Sequence, residues 1–119
     1  MLEGEFKQKV ALYNNKANID ILGQGLEKQR VDFLGNKVII TAKNRRLKSL
    51  KVLESFDVLT AKMMEVAMNI RLKEALEATL SKEMGLSIYC IVKDYDKNKE
   101  LSVTVIILEE SIEEILKCL

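Results

Sequence analysis

Between Leu47 and Met84 the chain carries neither glycine nor proline, and this stretch limits the possible folds more than any other. Apolar residues recur at Leu47, Leu50, Leu53, Phe56, Leu59, Met63, Val66 and Ile70. A second line, Met64, Met68, Leu72, Leu76 and Leu80, runs beside the first. Steps of three and four put both lines on one broad helical face. As a single helix the segment would run ~55 Å at 1.5 Å per residue, which is too long for a compact domain of this size. It therefore either breaks near Ser55-Phe56-Asp57 or projects and packs against a partner chain. Gly85 ends it in both cases.

The flanking segments supply the other elements. Phe6, Val10, Tyr13 and Ala17, with Leu2 one turn earlier and the stripe continuing through Ile21, predict an amphipathic first helix that stops at Gly23. From Gln29 to Ala42 the period changes to two, and Gly35-Asn36 separates two β-prone runs. That reads as a hairpin, because both residues tolerate the positive φ of tight turns. Leu86 to Lys93 predicts a third strand, Asp94 to Lys99 a polar turn, and Leu101 to Leu108 a fourth strand. Glu109 to Leu119 predicts a short final helix, with Ile112, Ile115, Leu116 and Leu119 on its apolar face. The expectation is one two-layer α+β domain over residues 1–119. Its order is helix, hairpin, long helical region, hairpin, short helix. The hairpins pair into a four-stranded antiparallel sheet with helices on one face.

Composition removes whole classes of function. The 119 residues include no histidine. That takes away imidazole acid–base chemistry, triads that need an imidazole base, and the commonest metal ligand. No metal site and no cofactor are expected. Asp94 and Asp96 are oxygen ligands in principle, but Asp94 to Lys99 lacks the glycine and distal glutamate of a calcium loop. Cys90 and Cys118 fall outside any zinc or redox spacing and read as free thiols. Nineteen basic and 18 acidic residues leave a net charge of +1, which argues against a nucleic-acid binder working through bulk charge. The first residues lack the basic and apolar regions of a signal peptide, and the apolar runs are too short to cross a bilayer. The expected location is the cytoplasm, and the expected activity is binding rather than catalysis.

Three features are candidate binding elements. Gly23-Gln24-Gly25 with Lys28 offers backbone amides and a cation that could cradle an anion, although it follows a helix and precedes a strand, the reverse of a dinucleotide loop. Lys43, Arg45, Arg46, Lys48 and Lys51 form a basic run after the first hairpin. It suits phosphate, an acidic protein or an anionic surface, and it gives the alternative of a small RNA- or ribosome-binding module. Few aromatics are interleaved, so stacked single-stranded RNA recognition is not expected. Arg71 lies within the apolar helix and either pairs with Glu74 or Glu77 or faces a cleft. Met63, Met64, Met68 and Met84 suit a core or an adaptable helical seam.

The order of elements and several short words resemble the MpsC-like family, the C subunit of a sodium-translocating, membrane-potential-generating system. Leu22-Gly23-Gln24-Gly25-Leu26 stands where that family has a Gly-basic-Gly-Pro turn, and Val31 to Ala42 stands for its first hairpin. Leu47-Lys48-Ser49-Leu50 stands near its helix start, Arg71 for its helix arginine, and Gly85 to Leu108 for its last hairpin. Gln24 and Leu26 replace the basic residue and the proline, and the helix start lacks the family's Thr and following Glu. The resemblance implies a soluble, non-enzymatic component associated with an ion- or inorganic-carbon-transport system. Docking through Gly23–Lys28 and Arg45/Arg46 is then expected. A homodimer is expected as well, because the long helix offers more apolar face than four strands can cover.

Overall fold

A computed structural model describes residues 1–118. The elements are α1 (Glu3–Leu22), β1 (Lys28–Leu34), β2 (Lys37–Lys43), α2 (Lys48–Phe56), α3 (Val58–Met84), β3 (Ile88–Asp96), β4 (Leu101–Leu108) and α4 (Ile112–Cys118). The expected order is the observed one. Leu119, expected on the last helix's apolar face, lies outside the described residues.

The glycine-free stretch breaks at Asp57, inside the expected segment. Asp57 adopts extended backbone (φ −152°), and its carboxylate accepts the amides of Leu59 and Thr60 at 3.1 and 3.3 Å. The Thr60 hydroxyl donates to the same carboxylate at 2.8 Å. These bonds satisfy donors that a new helix leaves open, so an aspartate here starts α3 as it ends α2. They also hold the Asp57 carboxyl below its ordinary pKa, with the Thr60 hydroxyl bond the leading cause. α3 then runs 27 residues, ~40 Å, and ends at Gly85 in the left-handed conformation (φ 65°). It sets the long axis of a molecule measuring 52 × 23 × 22 Å.

The four strands form one antiparallel sheet in the order β1-β2-β4-β3. Gly35 takes the positive φ (62°) in the first hairpin turn. Asn36 has another use: its carbonyl accepts the Leu108 amide and its side chain donates to the Leu108 carbonyl, at 2.8 and 3.0 Å. β3 runs past Lys93 through Asp96, further than its composition predicts. Tyr95 and Asp96 pair with Ser102 and Leu101, and the turn contracts around Glu100 at φ 53°. The Asp96 carboxylate accepts the amides of Asn98 and Lys99, which supplies the turn that Asp94–Lys99 was expected to make.

α1, α3 and α4 cover one face of the sheet. Phe6 and Val10 of α1, Val38 and Ile40 of β2, Ile106 and Leu108 of β4, Leu76 and Leu80 of α3, and Ile112 of α4 share one core. Full burial of each large side chain is worth roughly 1.5–3 kcal/mol, so this cluster dominates the stability. Both cysteines are free thiols. No helix among the described residues is long and apolar enough to cross a membrane.

Candidate functional site

Beside this core, where α2 and the first half of α3 lean over the β3 edge, the packing leaves a cavity of about 330 Å³. Leu47 and Leu50 from α2's start, and Val66, Met68 and Leu72 from α3, supply apolar walls. Asn44, Arg46, Lys62, Glu65, Asn69 and Lys93 bring polar groups to the same space. Its size and mixed lining fall within the range of small-ligand sites.

Lys93 comes from β3. Strand alternation puts Ile91, Lys93 and Tyr95 on the helix-covered face, so the lysine lies where an apolar residue would normally sit. Its ammonium donates to the Thr104 hydroxyl at 3.2 Å, and the Asn69 amide donates to its backbone carbonyl at 3.2 Å. Burial disfavours the charged form and pulls the Lys93 pKa down to about 8. Next along the strand, the Tyr95 hydroxyl donates to the Asn44 carbonyl at 2.9 Å. Burial, followed by the nearby Glu100 carboxylate, raises its pKa to about 12.

Arg46 closes the cavity. It was expected on a basic rim, but it is only 8% exposed. Its guanidinium donates to Glu54 of α2 at 2.7 Å and to Glu65 of α3. Its backbone amide donates to the Glu100 carboxylate at 2.7 Å. Lys97, beyond the end of β3, joins the network through Glu54 at 3.0 Å. The hydrogen bond from Lys97, then that from Arg46, holds the Glu54 carboxyl below its ordinary pKa. Bonding to Glu65 holds the Arg46 pKa above its ordinary value, against desolvation. The Nε of Arg46 and the side-chain oxygen of Asn44 are buried without a protein partner.

The other expected contact residues separate into two groups. Gly23–Lys28 and Arg45 come together. The Gln24 side chain donates to the Arg45 carbonyl, and the Arg45 guanidinium pairs with Glu27 at 2.8 Å. Gly23 is the left-handed cap of α1 (φ 78°). A Cβ on Gly25 would lie 2.9 Å from the Asn15 side-chain oxygen, which instead accepts the Leu26 amide at 2.7 Å. The loop is thus tied to α1 and β2, with the amides of Gly23, Leu26 and Glu27 donating to Ile19, Asn15 and Lys43. Lys28 is exposed at the β1 edge. Arg71 is exposed on α3, 3.6 Å from Glu74, and does not line the cavity. The basic run is divided: Arg45 and Arg46 are paired with carboxylates, and Lys48 and Lys51 are exposed on α2.

Sequence reasoning missed Lys93, Glu54, Glu65 and Glu100. The available signal was the alternation Ile91-x-Lys93-x-Tyr95, which puts an ammonium in register with core residues. Fold and cleft together define a two-layer α+β domain carrying a small cavity at one end of its sheet. Comparison with protein-family models, with curated proteins and with solved structures finds no match for this chain.

Proposed function

We propose that this chain is a non-enzymatic accessory module that acts by docking an amphipathic helix of a partner protein against α3. The carrying observation is a row of exposed apolar side chains along α3. Leu59, Met63, Val66 and Ile70 follow steps of four, three and four and are 68%, 65%, 60% and 47% exposed. Phe56, at the end of α2, is 91% exposed. Such spacing forms a seam one helix wide, the geometry of coiled-coil and helix-in-groove recognition. Isolated exposed apolar residues are ordinary, but a continuous row of them marks an interaction surface. The MpsC-like resemblance supports a transport-system subunit as the partner, met at the cytoplasmic side of the membrane.

A photo-crosslinker placed at Ala67, beside the seam, tests this in the native cell. Crosslinks to a helical segment of a transport protein are expected. They should fall at least about tenfold when Met63 and Val66 are both changed to Glu, with folding stability changed by less than about 0.5 kcal/mol. Crosslinks that survive the double change would remove the seam from the proposal.

The cavity favours a second reading, a small organic anion with an apolar body, held by Lys93 and the polar groups around it. A thermal-shift screen of small carboxylates should then yield compounds that stabilise the protein at pH 7. The Lys93→Met variant should not respond to them.

A further inference from the structure

The sheet's other face is not covered by any described helix. Strand register fixes which side chains share it. Across β1, β2, β4 and β3 the rows read Lys28, Lys43, Leu101, Asp96; then Arg30, Thr41, Val103, Asp94; then Asp32, Ile39, Val105, Val92; then Leu34, Lys37, Ile107, Cys90. An apolar patch lies at its centre, beside Lys37, Thr41 and Lys43 of β2: Ile39, Val105 and Ile107 are half-buried among their neighbours, and Val103 and Val92 are 38% and 57% exposed. A solvated face of an antiparallel sheet ordinarily alternates to polar residues, and half of this one is apolar.

In the first two rows the edge charges sort by edge, and Asp32, the acid on β1, pairs with Arg30 of its own strand. Lys28 and Arg30 stand on β1, at one edge. Asp96 and Asp94 stand on β3, at the opposite edge, in the same two rows. Consider a second copy turned by 180° about an axis parallel to the strands and above the middle of the sheet. The turn lays β1 over β3 while keeping each row in place. Lys28 then meets the partner's Asp96, Arg30 meets the partner's Asp94, and both pairs occur twice. At the centre Ile39 meets the partner's Val105, and beside this pair Thr41 meets the partner's Val103 and the Lys37 stem lies along the partner's Ile107. A surface whose acidic and basic edges exchange under a two-fold rotation is self-complementary, which an isologous interface requires.

We propose that this face binds a second copy of the chain, sheet on sheet, with Arg30–Asp94 and Lys28–Asp96 pairs closing its two edges. Aligned sheets pack ~10 Å apart at about −30°, close enough for the apolar rows to interdigitate. Arg30 already lies 3.1 Å from Asp32 of its own strand, so the partner's Asp94 adds a second carboxylate to a guanidinium held in place. Four short strands make a small interface beside the ~800 Å² per partner of a standard one, so the dimer exchanges readily, with Kd on the order of 10 µM. The face lies across the sheet from the α3 seam, so the two surfaces stand or fall separately.

Sedimentation of the full chain over about 1–200 µM tests the dimer, with circular dichroism to confirm that each variant is folded. The wild type should pass from monomer to dimer, and added salt should weaken it through the edge pairs. Val105→Glu should weaken association at least about 100-fold. Arg30→Glu or Asp94→Arg alone should weaken it about tenfold, and the two together should restore it, because the reversed pair faces itself across the axis. A wild type that stays monomeric at the highest concentration would overturn the proposal. So would a dimer indifferent to Val105→Glu, or single reversals that the double reversal fails to rescue.

Discussion

Replacing Arg46 with Met is expected to lower stability by about 2–4 kcal/mol in urea denaturation, more than any other single change to a charged residue in this fold. The guanidinium is only 7% exposed and joins Glu54 of α2 to Glu65 of α3, while its backbone amide holds Glu100 in the β3–β4 turn. Methionine keeps much of the volume and removes the donors. Glu54 keeps Lys97 as a partner. Glu65 loses the ion pair found for it and stays about one-third exposed beside the cavity. The larger share of the loss therefore comes from Glu65, and Arg46→Met with Glu65→Met should recover most of it, since removing both partners leaves no stranded charge. The acid limb should change as well. Glu54 has its pKa depressed in the folded state, so its contribution is present above the ordinary carboxylate range and lost as pH falls through the folded value. Without Arg46 that depression shrinks, and stability should fall less steeply on acidification. A loss below about 0.5 kcal/mol would show the network to be an ordinary surface ion pair.

Arg46 also shows where sequence reading stops. Its neighbours Lys43, Arg45, Lys48 and Lys51 read as a solvated rim, and nothing local separates Arg46 from them. What separates it is the position of Glu54 and Glu65, and that depends on the angle between α2 and α3 at Asp57. The length of the glycine-free stretch marks Ser55-Phe56-Asp57 as a place to break but leaves one projecting helix open, and the Asp57 cap decides between them. Gly23, Gly35 and Gly85 were legible: each terminates a periodic run, and each takes the positive φ such an end favours. The extension of β3 was not legible. Asp94 and Asp96 look like turn residues, and only pairing with Val103 and Leu101 draws them into the strand. The same pairing brings an acidic edge into register with Lys28 and Arg30 on the far side of the sheet. Local composition carries the elements, whereas the sites arise from pairings between elements far apart in the chain.

Replacing Lys93 with Met is expected to raise stability by about 2–3 kcal/mol at pH 7. Burial lowers the Lys93 pKa from 10.5 to about 8, a difference worth about 3.5 kcal/mol at about 1.4 per unit, and the lost Thr104 hydrogen bond returns about 1. The pH dependence follows from the sign of the shift. Below pH 8 the amine is protonated in both folded and unfolded chains, and the fold bears the whole penalty. Between about 8 and 10.5 the folded chain releases its proton while the unfolded chain keeps it, so wild-type stability gains from this group as pH rises. The advantage of Lys93→Met should therefore be full at pH 7, shrink through that interval and reverse to a deficit of about 1 kcal/mol above it, where only the lost Thr104 bond remains. Arg46, Lys62, Glu65 and Asp94 line the same space. Equal stability of the two proteins at pH 7 would mean that water reaches the amine freely. A lysine that weakens its own fold is replaced by Leu or Met without difficulty wherever packing is its only task. Its place in a 330 Å³ cavity, with one neutral hydroxyl as its side-chain partner, is the physical reason to look for a ligand there.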